Sequence, residues 1–219
     1  MWCVLTWGID HKIADAKNLV DEIMGYKKMF QSSAMKHGLA MEPHAKRRLT
    51  ENFKGSHRNV TSEEVGLFVS PNYPHLGASP DLILNCGCCG KYVVEIKFPD
   101  SIKMTTPSIY NLNYLVGNNE LTTLKQHHNY YFQIQGQMAI TGIEQAGFFV
   151  YTYHGYHIEK IMFDVQLWKQ MLLKFNYFWS KYIAPEILAG NQDNNPISKD
   201  LKSRPIATLC KNPVTAGDS

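Results

Sequence analysis

The amino-acid sequence predicts an α/β fold, a small mixed central β-sheet flanked by helices. Two stretches, Asp81–Lys97 and Ala146–Phe163, read as β-hairpins, each folded about a Gly-containing turn. Helical patterns precede, separate and follow them, an order that suits helices packed on a sheet. At 219 residues and 44% hydrophobic, the chain can bury one sizeable core.

The elements follow in order. Ala14–Met24 carries apolar residues at helical spacing, and GYKKMFQSS after it reads as a loop. Ala34–Phe53 is helical in composition, but Pro43 interrupts it. Proline fits best in a first turn, so the main helix is expected to begin near Glu42. Val65–Ser70 reads as a short strand, followed by the Pro- and Gly-rich loop PNYPHLGASP. Asp81–Leu84 and Lys91–Lys97 are strands joined by NCGCCG, and Asp100–Glu120 reads as a polar loop. Leu121–Ile140 has an apolar stripe and no proline, which predicts one helix. The second hairpin turns at Gly155, and Val165–Ile183 is an amphipathic helix ending at Pro185. From about residue 191 the chain is polar, and a disordered tail over 191–219 is expected.

A net charge of +3 permits a polyanionic partner without requiring one. No run is long and apolar enough to span a membrane, and the first residues lack the pattern of a secretory signal. Five cysteines, three of them within four residues, suit a reduced, intracellular chain.

Two clusters could carry chemistry. On a strand, residues two apart share a face, so Glu95 and Lys97 point one way and Ile96 points into the core. Asp81 opens the partner strand and can meet Glu95 across the sheet. Two carboxylates and a lysine suit a hard cation, Mg²⁺ or Mn²⁺, and phosphodiester hydrolysis. The other cluster is Cys86, Cys88 and Cys89. Zinc needs about four ligands and only three are local; Cys3, Cys210 or a histidine could supply a fourth, but nothing in the spacing points to it, and a plain thiol-bearing turn is the expectation.

Four stretches together carry a resemblance: GLAMEPHAKR (Gly38–Arg47), LGASPD (Leu76–Asp81), EIKFP (Glu95–Pro99) and YYFQIQGQMAITG (Tyr130–Gly142). In this order they resemble the phage lambda exonuclease and YqaJ-type viral recombinase group of the PD-(D/E)XK nuclease superfamily. The resemblance implies a restriction-endonuclease-like core over residues 34–190. It implies one or two Mg²⁺ or Mn²⁺ ions held by Glu42, Asp81, Glu95 and the carbonyl of Ile96. Lys97 becomes the catalytic lysine, and Gln135 a catalytic glutamine that helps place the water or the strand. Gln133, Ser79 and Lys103 become substrate contacts, the last two at a terminal phosphate; Lys103 stands where an arginine is expected.

The implied activity is 5′-to-3′ digestion of linear double-stranded DNA, in a ring of three copies, with a single-strand annealing protein as partner. One departure is clear. The family's opening segment, with an arginine and an Ile-Thr-Ala-Ser run that bind the 5′-phosphate, is replaced over residues 1–33 by a chain starting MWCVLTWGIDHKIA. A catalytically inactive DNA-binding module and an endonuclease on the same core therefore stay open as alternatives.

Three further features have ordinary readings. His127 and His128 are expected to be partly exposed helix residues rather than DNA or metal contacts. Trp168, Phe175, Phe178 and Trp179 fall at core or interface spacing. Lys46-Arg47-Arg48 is either a solvated helix face or a contact to a DNA backbone.

Overall fold

The computed structural model describes residues 13–27, 32–117 and 121–189. The expected tail and the first twelve residues lie outside them. Helices α1 (Ile13–Ile23) and α2 (Ser33–Ser56) come first. Strands β1 (Thr61–Glu63), β2 (Phe68–Val69), β3 (Gly77–Ala78), β4 (Leu82–Cys86) and β5 (Gly90–Lys97) follow. Next are β6 (Leu115–Gly117), β7 (Thr122–Leu124), α3 (Asn129–Thr141), β8 (Gln145–Thr152) and β9 (Gly155–Met162). The chain closes with α4 (Val165–Phe178), a π turn and α5 (Ala184–Ala189).

The five-stranded sheet has the order β1-β4-β5-β8-β9 and is mixed, as expected. Its β5–β8 pair is parallel and the others are antiparallel. Strand β5 is central, and its two faces feed two cores. Tyr92, Val94 and Ile96 pack with Ala45, Leu49 and Phe53 of α2. Val93 on the other face joins Phe148, Val150 and the α3 residues Ile134 and Met138. The helices thus sandwich the sheet, because a strand alternates faces while α2 presents a stripe at i, i+4 and i+8.

Four expectations change. Helix α2 runs through Pro43. The lost N–H leaves only the Leu39 carbonyl short of its helical partner, and Leu39 sits on an exposed turn where solvent can take that role. Helix α3 starts at Asn129, not Leu121. His128 is its N-cap, accepting from the Tyr130 N–H at 3.2 Å, and the β-branched pair Thr122-Thr123 lies instead in a β6–β7 hairpin. Pro185 does not end the last helix. The ladder shifts to a π turn at Trp179–Ile183, and Pro185 then sits in the first turn of α5, where its missing N–H is harmless. Strand β1 was not visible in the sequence, since all three of its residues are exposed and it gains its place by pairing with β4.

The aromatic stripe packs inward. Phe175 and Trp168 join the α3–α4 core, while Phe178 and Trp179 meet α1. None of the described helices is long and apolar enough to cross a membrane.

Gln135 is wholly buried and ties three elements together. Its amide donates to the Met162 carbonyl at 2.9 Å and accepts the Asp164 N–H at 2.8 Å. Asp164 in turn caps α4. Replacing Gln135 with Leu takes the partner from the Met162 carbonyl and the Asp164 N–H, so Gln135→Leu should lower the free energy of unfolding by ~1–3 kcal/mol. Urea denaturation measures this; a loss below ~0.5 kcal/mol would remove the structural role.

Candidate active site

The site grows from the β4–β5 register. Leu82 stands opposite Val94, so one residue further out Asp81 stands opposite Glu95. The Asp81 N–H reaches the Val94 carbonyl at 3.2 Å, and the Ile96 N–H donates back to Asp81 Oδ2 at 2.7 Å. These two bonds fix the Asp81 carboxylate at the end of the ladder, with Oδ1 left for another partner. Glu95 is 3% exposed, and each of its oxygens is held. Lys97 Nζ lies 2.5 Å from Oε1, and Gln137 Nε2 lies 2.7 Å from Oε2. Lys97 also approaches Gln133 Oε1 at 3.4 Å and sits 4.2 Å from the centre of the Tyr130 ring.

The charges match this crowding. Burial, then the Glu95 charge, pushes the Asp81 carboxyl up to about 7, against the pull of the Ile96 N–H and Lys97. Burial alone would lower Lys97, but Glu95 outweighs it and holds the ammonium above its ordinary value. A second negative charge beside Glu95 is therefore costly in this half-buried place unless a cation joins it. Its donors are all oxygens, the set that suits a hard divalent cation. On the chemistry of the donors, the residues fit the metal that the resemblance implies.

Glu42 comes from the other layer. It lies on the α2 stripe that buries Ala45, Leu49 and Phe53, and its Oε1 is bound by Lys46 at 2.7 Å. Its charge still reaches Asp81. Lys46 also binds Glu64, and Arg48 lies 3.8 Å from Glu51, so this basic run is largely paired with acids of the same chain. The Ile96 side chain points into the α2 core as expected. Ser79 is exposed just after β3, two residues from Asp81. Lys103 is paired with Asp100 at 2.8 Å.

Gln135 is not at this site, contrary to expectation. On a helix, residues two apart face nearly opposite ways, while residues four apart share a face. Gln133 and Gln137 therefore turn to Lys97 and Glu95, and Gln135 turns to β9 and α4. The same spacing could have singled out Gln137 from the sequence. His128 has its capping role, and burial lowers its affinity for a proton. With His127 it lines a cavity of about 790 Å³ beside Asn113, Tyr131 and Glu159, and none of the site carboxylates lines that cavity.

The cysteines also depart from expectation. Cys86, Cys88 and Cys89 do have a fourth neighbour: His57, just past the end of α2. Spacing could not reveal it, because 28 residues separate His57 from Cys86.

The raised Asp81 pKa has a consequence for stability. Between pH 4 and 7 the folded chain keeps a proton that the unfolded chain has lost. Without metal, stability should therefore fall as pH rises through this range, by on the order of a few kcal/mol, and level off above it. This fall should be absent in Asp81→Asn. Unfolding midpoints of the two proteins across pH 4–8, in chelator, test this.

The profile of the YqaJ-like viral recombinase domain matches residues 10–144. No curated protein matches the chain. Among solved structures, the chain is similar to the alkaline exonuclease LHK-Exo from Laribacter hongkongensis. The identity is 24% and the TM-score 0.59, covering 80% of this chain and 82% of that one. It is also similar to LHK-Exo in complex with dAMP, at 22% identity and TM-score 0.61, covering 84% and 87%. These likenesses show a shared fold. With more than half of its length matched by the profile, the chain belongs to the YqaJ-like viral recombinase domain family.

Proposed function

We propose that the chain is a metal-dependent deoxyribonuclease that digests linear double-stranded DNA, as a 5′-to-3′ exonuclease of the recombination type. The observation that carries this is the pairing of Asp81 and Glu95 across β4 and β5, with Lys97 seated on Glu95. The family supports it, and so does the likeness to a protein described as an alkaline exonuclease.

Each residue has work to do. Asp81, Glu95, the Ile96 carbonyl and Glu42 would hold Mg²⁺ or Mn²⁺. When bound, such an ion supplies Lewis acidity toward a phosphate oxygen and lowers the pKa of water. Lys97 stays protonated at neutral pH, so it donates hydrogen bonds rather than removing a proton. It orients the attacking water and offsets charge gathering on the phosphate. The Tyr130 ring covers one side of the ammonium and keeps water from it. Gln137 fixes Glu95, and Gln133 steadies Lys97 beside the path of the strand. Ser79 is open for a phosphate, while Lys103 would trade Asp100 for one. A ring of three copies and a single-strand annealing partner are proposed on the family resemblance.

Asp81→Asn or Lys97→Ala should lower Mg²⁺-dependent digestion of linear 5′-phosphorylated DNA by on the order of 10²-fold or more, with folding retained. Full activity in either variant would sink the site assignment. Closed circles run in parallel should stay intact; their cutting would mean an endonuclease, and binding without digestion a DNA-binding module. Gln137→Ala should weaken metal binding roughly 10–100-fold through loss of its hold on Glu95. Calorimetric titration with Mn²⁺ would show this.

A further inference from the structure

The tip of the β4–β5 hairpin lies at the far end of these strands from the carboxylates. There His57, Cys86, Cys88 and Cys89 place one ligand atom each within 4.8 Å of all the others. His57 Nδ1 is 3.3 Å from Cys88 Sγ, 3.5 Å from Cys86 Sγ and 3.6 Å from Cys89 Sγ. Cys86 and Cys88 Sγ are 3.5 Å apart. Hydrogen bonding does not explain this convergence. An imidazole Nδ1 has one in-plane direction, with either one proton or one lone pair, and serves one good partner. Three sulfurs crowd it here. In a tetrahedral zinc site with ordinary bond lengths, the S···S edge is ~3.8 Å and the S···N edge ~3.6 Å. The four observed separations match those edges to within about 0.3 Å, and the two S···S edges to Cys89 lie within 4.8 Å.

The surrounding backbone is shaped for this. Cys86 is the last residue of β4 and buried, while Cys88 and Cys89 lie in the three-residue loop that follows. A strand would send adjacent side chains to opposite faces, but a turn does not. Gly90, at φ +79°, supplies the left-handed residue that closes such a loop. The Gly87 N–H bonds the Arg58 carbonyl at 2.8 Å, which ties the segment after α2 to the loop. The His57 ring lies flat on Phe53, with centroids 4.3 Å apart and an 8° interplanar angle, so Nδ1 is aimed before any ion arrives.

We propose that His57, Cys86, Cys88 and Cys89 form a Cys₃His zinc site that clamps the end of α2 to the β4–β5 hairpin. All four positions are filled by protein, so the site is closed and structural rather than catalytic. It joins the helix that carries Glu42 to the strands that carry Asp81 and Glu95. Its occupancy does not depend on the nuclease reading, because zinc content is measured without DNA.

The test is metal analysis of the full chain, purified under reducing conditions without chelator. One zinc per chain is expected. Cys86→Ser and His57→Ala should lower it to near zero, and a variant lacking Cys3 and Cys210 should keep it. Adding Co²⁺ to the metal-free chain should give the intense visible bands of a tetrahedral thiolate site, read on the wild type so that variant folding does not matter. Removing zinc should lower Tm by roughly 5 °C or more. A chain that carries no zinc and shows no tetrahedral Co²⁺ spectrum overturns the proposal. So does zinc that persists in Cys86→Ser, or is lost with Cys3 and Cys210.

Discussion

The register of β4 on β5 is the constraint on which the site depends. With Leu82 opposite Val94, Asp81 and Glu95 share a face and an end of the sheet. A slip of one residue would send them to opposite faces, since side chains alternate with a period of two. The interaction of the two carboxylates with each other does not hold that register, because they repel. It is held by apolar packing: Leu82, Leu84 and Val94 against α2, and Val93 against α3. The Ile96 N–H bond to Asp81 then locks the last position. The electrostatic strain of the site rests on hydrophobic burial elsewhere along the same two strands.

Helix α2 couples the two ends of this hairpin. One stripe of it carries Glu42, then the buried residues Ala45, Leu49 and Phe53, and the chain reaches His57 one residue past its end. The helix thus approaches the carboxylates from its middle, at Glu42, and the cysteines at its finish. Pro43 fits this arrangement, because it disturbs only the exposed side of the first turns.

Much of this was legible in the sequence. Hairpins at Asp81–Lys97 and Ala146–Phe163 follow from period-two patterns and glycine turns, and the four quoted stretches pointed to the family. Elements whose stability comes from a partner were less visible. Strand β1 is exposed throughout, and β6 and β7 are three residues each, too short for a pattern. Gln135 was misplaced because a motif counts residues while a helix counts angles. His57 was missed for a different reason: its partners are remote in sequence, and only the packing of α2 on β4 and β5 brings them together.

The parallel β5–β8 seam adds a thermodynamic asymmetry. The loop between β4 and β5 is residues 87–89, so bringing Asp81 to Glu95 restricts very little chain. Strands β5 and β8 are separated by residues 98–144, including α3, and their closure restricts far more. Gln133, Gln137 and Tyr130 belong to that long connection. The two carboxylates can therefore meet at small entropic cost, while the amides and ring that hold them in a working arrangement reach them only through the whole domain.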